Sequence, residues 1–152
     1  MALNASLVGR TYPPTDPYLV GREKVREFAN AVGDANPASH DVAAARALGY
    51  ADVVAPPTFA FVVAYAGSSK AALDPDLGLD YSRVVHGEQR FVFERPIVAG
   101  DSLVATATIE AIRAVAGNDI LTTRVDLDTD SGEHVATTYT VIVARGTAED
   151  AS

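Results

Sequence analysis

The chain has 152 residues, a formal net charge of −8 and no cysteine. A surface of that sign repels a phosphate backbone and no basic run offsets it, which sets nucleic-acid binding aside. Without cysteine there is no disulfide, no thiolate zinc ligand and no thiol nucleophile, while 48% hydrophobic and 21% charged residues suit an ordinary globular fold.

Length and the absence of any repeat or linker point to one domain over residues 1–152, with a tail expected to fray from about 147 to 152. The opening stretch "MALNASLVGR" has no basic region followed by a long apolar run, so no signal peptide is expected. Up to Val20 the prolines Pro13, Pro14 and Pro17 suit an extended lead-in strand. In "REKVREFANAVGD", Val25, Phe28, Ala29 and Val32 recur at helical spacing with charges between them, and Gly33 is placed to end the helix. "DVAAARALGY" reads as a short second helix opened by Asp41 and closed by Gly49.

From Pro57 to about Leu73 a third helix is expected, because proline is tolerated where the N–H would have no partner. Phe59, Phe61, Val62, Val63 and Tyr65 cover nearly every side of it, so it should be buried all round. The most apolar run, "VVAPPTFAFVVAYAG", which covers the first part of this helix, is broken by Pro56-Pro57 and too short to cross a bilayer. A soluble, cytoplasmic protein with no membrane partner follows.

After Leu73 the period becomes two. Phe91 and Phe93 alternate with Arg90, Val92 and Glu94; Leu103, Ala105, Ala107 and Ile109 line one face. Leu121, Thr123, Val125 and Leu127 face away from Thr122, Arg124, Asp126 and Asp128, and Val135, Thr137, Tyr139, Val141 and Val143 make the last run. The turn signals "AGDS", "AGND" and "TDSGE" separate these runs, which predicts an antiparallel meander. An apolar helix beside a strongly curved antiparallel sheet gives an α+β fold with the sheet wrapped around the helix. A half-apolar outer face and an exposed edge also favour dimerisation.

"GDANPASH", from Gly33 to His40, suits either an acid/base pair on a turn or a plain helix-terminating turn. His86 is placed on a strand with Glu88 and Arg90 on the same face, a solvated cluster or a contact for a ligand arm. Arg83, Arg90 and Arg95 could meet phosphates or an acidic partner, but exposed arginines usually do neither. His134 sits at a turn and carries no assigned role; the three histidines lack ligand spacing, so no metal and no cofactor are expected.

Together "GDANP", "ARALGYADVVAPPTF" and "VVHGEQRFVFERPIVAGD" resemble the MaoC-like hydratase/dehydratase branch of the hot-dog superfamily, nearest its FAS1-like N-terminal dehydratase domain. It is also similar to small actinobacterial subunits of (3R)-hydroxyacyl-ACP dehydratases. The resemblance implies a hot-dog fold, a dimer and an acyl thioester on CoA or acyl carrier protein, with the acyl chain along the central helix. It also implies reversible syn removal of water from a 3-hydroxyacyl thioester.

In the active pattern implied by that resemblance, an Asp and a His hold the water; one takes the α-proton and the other protonates the leaving hydroxyl. A glycine N–H at the start of the central helix binds the thioester oxygen. Asp34, Asn36 and Pro37 match that loop, but the register through Pro37, Gly49 and Ala55 puts Ser39 where the His belongs, with His40 one residue late. It also puts Pro57, which has no N–H, at the oxyanion position.

The resemblance thus implies Asp34, Asn36 and His40 as catalytic candidates and Pro57, Thr58, Phe61, Tyr65, His86 and Gly87 as substrate contacts. It favours an acyl-chain-holding subunit that needs a dyad-bearing partner, and it implies either a homodimer or a heterodimer with a catalytic MaoC-like hot-dog subunit. A self-sufficient homodimeric (R)-hydratase using Asp34 and His40 and a non-enzymatic acyl-thioester binding protein are the alternatives. A hot-dog thioesterase is more distant, since "PPTFAFVVAYAG" offers no carboxylate on the helix.

Overall fold

The computed structural model of the chain describes residues 1–148. Four long strands carry the alternating runs: β2 (Val84–Phe93), β3 (Ser102–Val115), β4 (Asn118–Thr129) and β5 (His134–Ala144). With the short β1 (Tyr18–Leu19) they form one antiparallel sheet in the order β1-β3-β4-β5-β2. The sheet curls around the helix α3 (Ala60–Ala72), the hot-dog arrangement that the resemblance implied.

β3, β4 and β5 are the expected meander. Ala116 and Gly117 between β3 and β4 both take positive φ, 48° and 74°, which a tight two-residue hairpin requires. β2 corrects the expectation, because it lies at the far edge against β5 instead of beside β3. The chain after β2 is held by the segment that leads into α3: Ala55 N–H donates to the Ile97 carbonyl at 2.8 Å and Ala99 N–H to that of Val53 at 2.9 Å. Those bonds carry the connection across the sheet, where a short turn would have folded it back.

The lead-in runs beside β3 as expected, with Tyr12 N–H on the Ala107 carbonyl and Thr15 N–H on that of Ala105. Its prolines donate nothing, so only Tyr18–Leu19 forms a regular ladder. α1 (Arg22–Val32) buries Val25 and Ala29 and ends at Gly33, whose φ is 73°, although Val32 is half exposed. α2 (Val42–Ala47) is capped by the Asp41 carboxylate.

A 3₁₀ turn over Pro57–Phe59 leads into α3. Phe59 is fully buried and meets Phe28 of α1 edge-on at 5.4 Å and Tyr18 at 6.4 Å. Gly67 lets α3 lie close on the sheet; a Cβ there would stand 3.2 Å from the Cβ of Ala105 and 3.3 Å from Val125. The helix is not buried all round, however: Tyr65 is 57% exposed and Phe61 and Val62 are half-buried. α3 rests mainly on β3 and β4, which leaves its flank toward β5 and β2 bordering a cleft.

Two bulges change which side chains face the helix. Leu127 pairs with Ala136 while Asp128 pairs with His134, so Val135 is the extra residue. The inward set of β5 is therefore Ala136, Thr138, Thr140, Ile142 and Ala144, and Thr137, Tyr139, Val141 and Val143 turn outward. On β2 the register shifts between His86 and Glu88, leaving Gly87 as the extra residue.

Part of the tail expected to fray is anchored. Thr147 is buried and its hydroxyl donates to the Asp119 carboxylate at 2.8 Å, while residues 149–152 lie outside the described part. Among the described residues no helix is long and apolar enough to cross a bilayer.

Candidate active site

A cavity of about 390 Å³ opens at the N-terminal end of α3. One wall is the loop that leaves α1. Asp34 N–H donates to the Ala29 carbonyl at 2.8 Å, and the Asp34 carboxylate accepts from Asn36 N–H at 2.9 Å. The Asn36 side-chain oxygen in turn accepts from Ala38 N–H at 3.1 Å, opening the 3₁₀ turn Pro37–Ser39. Both short polar side chains thus bind their own backbone two residues on, as turn-forming Asx residues do.

Ser39, not His40, faces the cavity. Ser39 is 2% exposed and its hydroxyl donates to the Val54 carbonyl at 2.7 Å, stitching this loop to the chain that leads into α3. His40 lies on the outer side of the loop beside Asn30, Gly33 and Pro37. Its Nε2 is 2.7 Å from the Asp34 carbonyl oxygen, and its own carbonyl accepts from the Arg26 guanidinium at 2.8 Å. The imidazole braces the loop from behind, with Asp34 bordering both sides.

Pro56 and Pro57 line the floor, so no N–H exists where an oxyanion donor was sought; Thr58 is exposed and lines neither this cavity nor the one described below. On the facing wall, from Phe93 to Ile97, the sequence reading named only Arg95 as a possible contact for phosphates or an acidic partner. Arg95 grips Asp101 through two bonds of 2.8 and 3.0 Å and Glu133 through bonds of 2.8 and 3.3 Å. Asp101 and then Glu133 hold the guanidinium firmly protonated, and Arg95 keeps the Glu133 carboxyl below its usual range. With its charge committed to two carboxylates, Arg95 acts as a strut. The "RP…AGD" stretch was the available signal for it.

A second cavity, of about 130 Å³, lies along the flank of α3. Phe61, Tyr65 and His86 wall it, with Phe61 5.8 Å from Tyr65 and 5.9 Å from His86 between ring centres. The expectation that His86 shares a face with Glu88 and Arg90 is overturned. The extra residue Gly87 turns His86 inward to pair with Ile142, whereas the Arg90 guanidinium lies 3.9 Å over the ring of outward-facing Tyr139. Gly87 itself lines neither cavity. Tyr81, Thr123 and Thr140 complete the walls and were not singled out from the sequence.

The structure therefore groups Asp34, Asn36 and Pro57 at one end of α3, groups Phe61, Tyr65 and His86 along its flank, and leaves His40, Thr58 and Gly87 off both cavities. His134 sits on the outer face with its Nδ1 2.7 Å from Asp128. Among the described residues no cluster of histidine and carboxylate side chains is arranged to hold a metal ion. The end cavity offers the Asp34 carboxylate and the exposed Glu94 but no imidazole and no free N–H at Pro57; the flank cavity offers an aromatic slot.

A family model described as "FAS1-like, dehydratase domain region" matches residues 6–138. A UPF0336 protein from Streptomyces coelicolor is 60% identical over 149 residues, spanning 98% of this chain and 99% of that one. Among solved structures, a MaoC-like dehydratase superposes with a TM-score of 0.85 at 41% identity, over 92% of this chain but only 42% of that one. A truncated HadBC (3R-hydroxyacyl-ACP dehydratase) complex from Mycobacterium tuberculosis superposes with a TM-score of 0.81 at 38% identity, over 90% of this chain and 96% of the matched one.

Proposed function

The chain belongs to the FAS1-like dehydratase domain family, and on that premise we propose that it is the acyl-chain-holding half of a 3-hydroxyacyl-thioester dehydratase. The thioester is carried on CoA or acyl carrier protein, and a second hot-dog subunit supplies the Asp–His dyad. One observation carries this reading: the loop that would bear the dyad presents Ser39, tied to Val54, to the cavity and turns His40 away, above a proline at the oxyanion position. Removing a single oxyanion donor typically costs about 100- to 1000-fold in rate, and here the general acid/base partner is displaced as well.

The division of labour fits the relatives. This chain spans under half of one MaoC-like dehydratase, and another neighbour is a complex of two named components. β2 ends the sheet, its outer edge unpaired among the described residues and with Val85 and Val92 exposed, so a partner strand can add there. The partner's base takes the α-proton and its acid protonates the departing hydroxyl, while Phe61, Tyr65 and His86 of this chain shield the acyl chain from water.

Hydration of crotonyl-CoA and a longer enoyl-CoA by the purified chain alone, and again with a candidate dyad-bearing partner, tests the proposal. It predicts silence alone and turnover on mixing. Turnover by the chain alone that disappears in Asp34→Asn and His40→Ala would establish a self-sufficient hydratase instead. Silence in both assays with measurable acyl-CoA binding would leave a binding protein.

A further inference from the structure

The flank cavity has a polar floor that an unadorned acyl chain does not need. The concave face of the sheet is otherwise apolar, with Ala105, Ala107, Ile109, Val125 and Leu127 all buried against α3. Across its middle runs one cross-strand row, Thr123 on β4, Thr140 on β5 and Gln89 on β2, with Thr138 next to it on β5.

Thr123 is 4% exposed, lines the cavity, and among the described residues makes no side-chain hydrogen bond. The Thr140 hydroxyl donates to the Gln89 side-chain oxygen Oε1 at 2.9 Å, which leaves the side-chain nitrogen Nε2 buried and, among the described residues, unpartnered. Turning that amide over would only orphan its oxygen instead. Among the described residues the Thr138 hydroxyl, fully buried, is also without a partner, although Thr138 and Gln89 stand behind the cavity wall instead of lining it. Buried polar groups are hydrogen-bonded in native proteins as a rule, so a concentration of exceptions in one patch calls for a partner.

We propose, on the basis of the thioester-holding reading above, that this row recognises an oxygen carried on the acyl chain, a ketone or hydroxyl some way from the thioester. The free Thr123 hydroxyl on the cavity wall and the Gln89 amide N–H behind Thr140 are hydrogen-bond donors, which complement an acceptor oxygen. The position follows from the strands. Phe93 borders the end cavity and Gln89 lies four residues along β2, about 13 Å away at roughly 3.3 Å per residue. A thioester group in the end cavity therefore puts the middle or far part of a medium-length chain against the row. Phe61, Tyr65 and His86 pack around the rest of the chain, and the unsatisfied groups make the slot selective for a substituted one.

Titration calorimetry of the purified chain with decanoyl-CoA and with keto-decanoyl-CoAs, the carbonyl moved stepwise from carbon 5 to carbon 9, tests this. At least one keto isomer should bind about tenfold more tightly than decanoyl-CoA, the worth of one good buried hydrogen bond. Thr123→Val, which keeps the shape and removes the hydroxyl, should reduce that preference toward parity, read as the ratio of keto-isomer to decanoyl-CoA affinity on the same variant, and Gln89→Leu should do the same. If all isomers bind like decanoyl-CoA, or the preference survives both substitutions, the inference is overturned and the thioester reading stands. If no acyl-CoA binds, the thioester reading falls and this inference with it.

Discussion

The two cavities along α3 are built from the same helix yet differ in how their polar groups are used. At the N-terminal end nearly every polar group is committed: Asp34 and Asn36 to their own turn, Ser39 to Val54, His40 to the Asp34 carbonyl, Arg95 to Asp101 and Glu133. Along the flank, the cavity-lining Thr123 makes no side-chain hydrogen bond among the described residues, and behind that wall Thr138 and Gln89 leave buried polar atoms without partners there. Groups that are already satisfied hold a shape, whereas unsatisfied ones in a buried slot await a ligand. The end cavity, which inherits the outline of a reaction centre, is thus the scaffold, and the plain-looking flank is the part equipped to recognise something.

Both cavities depend on the seating of α3, so the largest effect should come from its anchor. Phe59→Ala empties a fully buried site against Phe28 and Tyr18 and should cost about 3–5 kcal/mol in urea denaturation, with loss of acyl-CoA binding. Ser39→Ala should cost about 1–2 kcal/mol by the same measurement, since it leaves the Val54 carbonyl short of a donor. A catalytic serine would instead show a rate loss with unchanged stability.

A smaller effect concerns the frame. Arg22, at the start of α1, grips Asp52 just ahead of the segment that enters α3, and that bond holds the Asp52 carboxyl down to about 2. A free aspartate titrates near about 3.9, so this pair stabilises the fold above that value and is progressively lost as pH falls toward 2. Thermal melts from pH 5 to pH 2 should decline less steeply in Asp52→Asn than in the parent chain. Smallest of all, His40→Ala should leave the turnover of the mixed subunits unchanged, since the ring braces the loop from outside the cavity. A large loss of turnover there would erase the contrast between the two cavities.

The elements themselves were legible from period and punctuation: Gly33, Asp41, Gly49 and Pro57 mark helix ends, and the two-residue alternation marks the strands. The order of strands was not, because the bonds that hold the Ile97–Ala99 stretch to Val53–Ala55, and so send β2 to the far edge, join distant parts of the chain. Facing was legible only where no residue is extra; the bulge at Gly87 moved His86 off the face it was expected to share with Glu88 and Arg90, and the bulge at Val135, itself buried, turns Thr137, Tyr139, Val141 and Val143 outward. At the end cavity, Asp34, Asn36 and Pro57 could be read from their turn chemistry and the family pattern. Thr123 and Thr140 could not, since threonine is an ordinary strand residue and only its burial without a partner sets it apart.

The central claim, that this chain holds the substrate while another performs the proton transfers, is tested most directly by the initial rate of enoyl-CoA hydration for the purified chain alone against the same chain mixed with a dyad-bearing hot-dog partner. The account predicts a rate at least about 100-fold lower alone than in the mixture. Comparable rates in the two, abolished by Asp34→Asn and His40→Ala, would contradict it.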